Sequence, residues 1–231
     1  MLPVDQKKDH YVESRPPFEC TALLLQGGGA LGAYQGGVYE ALAEAGIHPD
    51  WVAGISIGAI NSALIAGNPP ERRVEKLREF WERVTSDVFG RGTQDFLTPL
   101  MKGDWVRRLM NQISANSAML IGASGFFVPR LPSPWLHPTG SSEATSFYDA
   151  SGLRNTLESL VDFDRINARE MRFSVGAVNV RSGNFVYLDS TTHRIRPEHV
   201  MASGALPPGF AAVEIDGERY WDGGLISNTP L

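Results

Sequence analysis

The chain has 231 residues, 42% of them hydrophobic and 20% charged, with 21 Lys and Arg against 26 Asp and Glu for a net charge of −5. That balance suits a folded domain with a large core, excludes a disordered chain, and argues against a dedicated nucleic-acid binder. One cysteine, Cys20, excludes an internal disulfide and cannot build a structural zinc site alone, so a reduced, cytoplasmic protein is expected.

Residues 1–20 read as a polar N-terminal segment, carrying Pro3, Pro16 and Pro17 and no apolar stretch of the signal-peptide kind. The most apolar later window, residues 118–128, is about half of the ~20 residues needed to span a bilayer. An integral membrane protein is therefore not expected, whereas peripheral contact with a membrane surface stays open.

Residues 21–231 read as one domain. Thr21 to Gln26 is a short apolar run that predicts a buried strand, ending at Gly27-Gly28-Gly29. Leu31, Tyr34, Val38 and Leu42 then recur at helical spacing up to Gly46. Trp51 to Ala53 predicts a second strand, and residues 59–66 a second apolar helix closed by Gly67. Strand, helix, strand and helix joined by tight glycine turns make the βαβ unit of a parallel sheet covered by helices. Pro69-Pro70 opens an amphipathic helix with Val74, Leu77, Trp81 and Val84 on one face and a Glu79/Arg83 pair on the other.

Between residues 96 and 146 the pattern decays into an apolar but irregular stretch that includes Trp105 and Trp135. Such a segment reads either as a lid-like insertion or as an extra helix pair against the sheet. Order returns with a helix over 151–161, then strands over 172–178 and 184–188 joined at Arg181-Ser182-Gly183. Residues 213–215 and 218–221 flank Asp216-Gly217, a strong hairpin signal. A helix would begin near Asn228-Thr229-Pro230, so the chain reads as a piece of a longer protein.

Three motifs could carry chemistry. Gly54-Ile55-Ser56-Ile57-Gly58 lies between a strand and a helix, where small flanking residues permit the sharp turn that lifts a nucleophilic serine clear of the backbone. The plainer reading is that Ser56 caps the helix. Gln26-Gly27-Gly28-Gly29-Ala30-Leu31-Gly32 fits a dinucleotide loop, but the next strand ends in Ala53-Gly54 rather than in the acidic residue that would hold a ribose. The other use of such a loop is an oxyanion hole, since adjacent parallel strands bring it and the serine to one edge of the sheet. Asp222, before Gly223-Gly224, is either a turn aspartate or a base for Ser56. A histidine base would have to be His193 or His199, ahead of His10, His48 and His137, which sit in weaker contexts.

Together, the glycine loop, the serine elbow and Asp222-Gly223-Gly224 in this order resemble the patatin-like phospholipases, lipid acyl hydrolases with a Ser–Asp dyad. The resemblance extends from about Thr21 to Leu231 and includes Ala202-Ser203-Gly204-Ala205-Leu206-Pro207 and the hairpin feeding Asp222. It implies a three-layer α/β/α fold with a mostly parallel central sheet, Ser56 as nucleophile and Asp222 as general base. It also implies an oxyanion loop of Gly27, Gly28, Gly29 and Gly32, with Gly54, Gly58, Gly223 and Gly224 flanking the two catalytic groups. Many members carry a basic residue where this chain has Leu31. The implied substrate is a lipid or fatty-acyl ester, and the reaction requires neither a metal nor an organic cofactor. The open alternatives are a His-dependent α/β-hydrolase and a non-catalytic nucleotide-binding module that uses only the glycine loop.

Overall fold

A computed structural model of the chain describes residues 18–85, 122–123 and 125–230. Most of the irregular stretch, including Trp105, lies outside the described residues. Strand β1 (Ala22–Leu25) leads through a single 3₁₀ turn at Gly29–Leu31 into helix α1 (Gly32–Glu44), then β2 (Trp51–Gly54), α2 (Ile57–Ala66) and α3 (Pro70–Thr85). A two-stranded ribbon, β3 (Val128–Pro129) with β4 (Tyr148–Asp149), precedes α4 (Ser151–Leu160) and the short α5 (Phe163–Asn167). The chain finishes with β5 (Arg172–Asn179), β6 (Phe185–Asp189), α6 (Pro197–Ser203), β7 (Val213–Ile215) and β8 (Glu218–Asp222).

Six of these strands form one mixed sheet in the order β1-β2-β5-β8-β7, with β6 also paired to β5. The core strands β1, β2 and β5 are parallel, as a helical crossover requires, whereas β6, β7 and β8 join antiparallel through short connections. The β7–β8 turn places both Asp216 and Gly217 at positive φ, 51° and 86°, which is the type I′ geometry that matches strand twist.

Helices α2 and α6 lie against one face of the sheet and against each other. There Val52, Phe173, Val175, Ala177 and Leu188 meet Ile60, Leu64, Val200 and Ala202 in one continuous core. Every residue of α2 is buried, so this helix is the centre of the domain rather than a surface element. Helix α3 starts at Pro70 as expected, buries Leu77, Phe80 and Val84, and carries the Glu79–Arg83 pair at 2.9 Å on its outer side.

Two expectations change. Among the described residues strand β1 lies at the edge of the sheet rather than inside it, and its outward-facing Leu24 is 39% exposed. Helix α1 forms as predicted, but Leu31 and Tyr34 are 76% and 78% exposed, and the buried residues are Gly32 and Tyr39. At its N-terminal end α1 packs through Gly32, where the neighbouring helices come too close for a side chain: the Gly32 Cα faces Ile57 and Trp81 directly.

The tightest approach of helix to sheet is at Gly58, where a Cβ would collide with the Leu25 carbonyl oxygen and carbon. Gly58→Ala must push α2 off β1, an overpacking expected to lower stability by about 3 kcal/mol or more. Gly37, inside α1 with open space around it, is the contrasting site. Gly37→Ala is expected to raise stability by about 0.5–1 kcal/mol through helix propensity. Urea unfolding of both variants beside the parent reads the two opposite shifts.

Candidate active site

Strand β5 is longer than β2, and this difference builds the site. Strand β2 pairs along β5 as far as Gly54 opposite Val175. Two residues further on, the same edge of β5 is taken by β8, with Asp222 opposite Ala177. Because β8 runs antiparallel, its C-terminal end points back at the C-terminal end of β2. The chains leaving Gly54 and Asp222 therefore meet head to head over Gly176.

Ser56 stands in the gap. Its backbone has φ 55° and ψ −123°, a conformation that L-residues rarely adopt, and the surroundings hold it there. Ile55 N–H donates to the Leu25 carbonyl at 3.0 Å, and Ser56 N–H donates to both the carbonyl and the hydroxyl of Ser203 at 3.1 Å. The Ser203 hydroxyl itself donates to the Gly176 carbonyl at 2.6 Å. Ser56 occupies the N-cap position of α2, yet its side chain makes no capping hydrogen bond. The capping explanation of this serine thus finds no support.

Asp222 is only 3% exposed, which removes it from the class of surface-turn aspartates. Its N–H donates to the Ala205 carbonyl at 3.0 Å, and its Oδ1 accepts the Gly224 N–H at 2.7 Å. Burial raises its carboxyl above the ordinary carboxylate value; hydrogen bonds from Gly224 N–H and the Ser56 hydroxyl offset part of that rise. Gly223 and Gly224 form the first turn after β8 and lead the chain away from the carboxylate.

The glycine loop arrives beside Ser56 and is clamped at both ends. Gln35 Nε2 donates to the Gln26 carbonyl at 2.8 Å, and the buried Asn61 donates to the Gly32 carbonyl and to Gln35 Oε1, both at 2.9 Å. Trp81 Nε1 completes Asn61 by donating to its Oδ1 at 3.2 Å. From the other side Gly27 N–H donates to the Asn228 carbonyl at 3.3 Å, and Asn228 Nδ2 donates to the Gly27 carbonyl at 3.2 Å. A Cβ at Gly27 would run into the Asn228 side chain and press on Ser56. Among the described residues the N–H groups of Gly28 and Gly29 have no acceptor.

Sequence reading missed Ser203, Asn61 and Asn228 as site residues. Only Ser203 had a signal, since it lies in the Ala202–Pro207 stretch that resembles the family. The histidines lie elsewhere. His199 is buried at the start of α6 with Nδ1 on the Arg196 backbone, and burial holds its pKa below the ordinary value. His193 Nδ1 is 2.9 Å from the Thr192 hydroxyl. Among the described residues no histidine hydrogen-bonds Ser56 or Asp222, and none clusters with acidic or Cys residues as a metal site. No helix among them is long and apolar enough to cross a membrane.

The raised pKa of Asp222 has a sign that can be measured. A carboxyl with a folded pKa above its unfolded value of about 3.9 contributes stability at low pH and loses it as pH rises through the folded pKa. Asp222→Asn is thus expected to be at least as stable as the parent at pH 7, with the advantage vanishing near pH 4. Urea midpoints at the two pH values check this, and a variant weaker than the parent only at pH 7 would mean the buried charge is fully compensated.

The profile of the patatin-like phospholipase family matches residues 23–231. The patatin-like phospholipase domain-containing protein ZK370.4 of Caenorhabditis elegans is 36% identical over 101 residues, 44% of this chain and 6% of that protein. The triacylglycerol lipase SDP1L of Arabidopsis thaliana is 35% identical over 81 residues, 35% of this chain and 10% of that protein. The lysophospholipase nte1 of Aspergillus terreus is 59% identical over 57 residues, 25% of this chain and 4% of that protein. The matched stretches are thus a tenth or less of these relatives' own lengths. Among solved structures, VipD from Legionella pneumophila superposes with a TM-score of 0.45 at 19% identity, over 92% of this chain and 47% of that one. With its profile matched from the first strand to the last residue, the chain belongs to the patatin-like phospholipase family.

Proposed function

We propose that the protein is a serine acyl hydrolase that cleaves carboxylic esters of lipids through a Ser56–Asp222 dyad. The observation that carries this reading is the pairing of a serine at φ 55° with a buried carboxyl whose basicity burial has raised. An ordinary carboxylate titrates near pH 4 and is a weak base toward a hydroxyl at neutral pH; a raised pKa narrows that mismatch.

In the proposed reaction Asp222 accepts the proton of Ser56 Oγ as that oxygen attacks the acyl carbonyl carbon. The carbonyl oxygen becomes an oxyanion. Of the four loop glycines, Gly27 and Gly32 have their amides engaged, by Asn228 and by the 3₁₀ turn respectively. Gly28 and Gly29 supply the free donors, and the start of α2, where the Ile57 N–H has no backbone acceptor among the described residues, adds the positive end of the helix dipole beside Ser56. The tetrahedral intermediate expels the alcohol, which takes the proton from Asp222 and leaves an acyl ester on Ser56. Water then attacks the acyl carbon, giving its proton to Asp222. Collapse releases the carboxylic acid and returns the proton to Ser56.

The names of the matched relatives, a lysophospholipase and a triacylglycerol lipase among them, support a lipid ester as substrate. Contact with a lipid surface belongs to the same proposal. Exposed Leu206, Leu225 and Ile226 follow directly on the residues that hold Asp222 and give that surface apolar anchors.

A fluorophosphonate probe is expected to label the protein at Ser56, with labelling and esterase activity both lost in Ser56→Ala. Asp222→Asn should lower kcat by about 10³-fold or more while remaining folded, and His193→Gln and His199→Gln should stay within about tenfold of the parent. Label retained in Ser56→Ala, or a histidine variant as impaired as Asp222→Asn, would overturn the dyad. The pH profile provides a separate check. Activity of the parent should fall as pH drops, with a midpoint above the ordinary carboxylate value of about 3.9.

A further inference from the structure

A cavity of about 260 Å³ adjoins the residues that hold Ser56 and Asp222. Gly204 and Ala205 line it and also touch those two residues: a Cβ on Gly204 would lie 4.0 Å from Ser56 Cα, and the Ala205 carbonyl accepts the Asp222 N–H. Phe126, Tyr148, Met201 and Phe210 make its apolar wall, and the rings of Phe126 and Tyr148 both stack edge-on or tilted against Phe210. The outer wall carries one cation, Arg130.

Arg130 is fixed but unsatisfied. Its Nη2 donates to the Ser146 hydroxyl at 3.2 Å and to the Tyr148 carbonyl at 3.1 Å, which sets the plane of the guanidinium. Nε is buried with no acceptor, and Nη1 has none among the described residues. Two carboxylates are near, and both are otherwise employed. Asp149, on the same cavity, accepts the Ser151 N–H at 2.8 Å, and the exposed Glu143 takes hydrogen bonds from Ser141 and Ser142. No ion pair to Arg130 forms among the described residues. The guanidinium gives its hydrogen bonds to neutral groups and interacts with the exposed Glu143 only through space, so its remaining Nη1 can receive an oxyanion from outside the chain.

We infer that Arg130 is a specificity-determining residue that binds a phosphate on the alcohol half of the ester. This rests on the reading of Ser56 as nucleophile, because it is proximity to Ser56 that makes the cavity a substrate pocket. The chemistry supports the alcohol half, because a fatty acyl chain carries no oxyanion for Arg130 to pair with. The glycine loop itself offers no cation, since the exposed side chain there is Leu31.

The test compares 1-octanoylglycerol 3-phosphate with 1-octanoylglycerol, which differ only in the phosphate. The parent is expected to favour the phosphate ester in kcat/KM by about ten- to a hundredfold, the range of a charge-assisted hydrogen-bond pair. Arg130→Gln should bring that preference close to parity through KM, with Arg130→Lys in between because it keeps the charge and loses the fork. Taking a ratio cancels any general damage from the substitution. Calorimetry of glycerol 3-phosphate on Ser56→Ala protein reads the same site without turnover, and binding there should disappear in the Ser56→Ala/Arg130→Gln double variant. A preference unchanged in Arg130→Gln, or no binding of glycerol 3-phosphate at about 20 mM, overturns the assignment. If the parent cleaves neither ester, the hydrolase reading fails, and the calorimetry still decides whether Arg130 holds a phosphate.

Discussion

The site depends on one edge of one strand. Strand β5 offers eight residues of pairing edge, and β2 uses the first part of it while β8 uses the last. The unpaired position between them, Gly176, is where the sheet has room for something other than a strand. Ser203 bonds its carbonyl, Ile55 packs on its Cα, and the backbone of Gly223 lies over its carbonyl oxygen. A parallel strand and an antiparallel strand entering the same edge from opposite ends bring Ser56 and Asp222 together although they are far apart in the chain. Backbone hydrogen bonds on both sides of the gap fix their separation, so no flexible loop sets it.

A serine in a disfavoured conformation persists only where its neighbours leave it no alternative. Here Ser56 N–H is held by Ser203, Ile55 N–H by Leu25, and α2 begins at once on the other side. The α2 helix cannot retreat, because it is buried along its whole length and touches β1, β2 and β5. The strain at the elbow is thus borne by the largest core in the domain. The glycine loop is held in the same way, by Gln35 and Asn61 from the helical side and by Asn228 from the end of the chain. In the proposed reaction, donors fixed in this way before substrate arrives would need no reorganisation when charge develops.

Asp222 illustrates a conflict between stability and chemistry. Burying a carboxyl raises its pKa and makes it a better base, but the same desolvation weakens the fold once the group ionises. One short hydrogen bond from Gly224 N–H and one from Ser56 compensate part of the charge, and among the described residues no arginine, lysine or histidine pairs with it. A cationic partner would stabilise the carboxylate fully and remove the basicity with it. The fold leaves the group under-compensated, which is the condition the proposed role of Asp222 as a base requires.

Features with a local cause were readable from the residues alone. The glycine-punctuated strand–helix–strand pattern, the start of α3 at Pro70, the Glu79–Arg83 pair and the Asp216-Gly217 hairpin each follow from spacing or from backbone freedom within a few residues. So does the strand-to-helix position of Ser56. Tertiary structure alone decided which face each element buries and which distant groups meet. The apolar spacing of Leu31, Tyr34 and Val38 predicted helix α1 but not that these side chains face outward, because the buried face is set by how closely α2 and α3 approach. Strand β1 reads as buried from its composition and lies at the edge because no described strand pairs beyond it. Asn228 reaches Gly27 across 201 positions, and Ser203 reaches Ser56 across 147. Periodicity and motifs record the geometry of neighbours along the chain, and a contact closed through the packing of a whole sheet leaves no spacing to read.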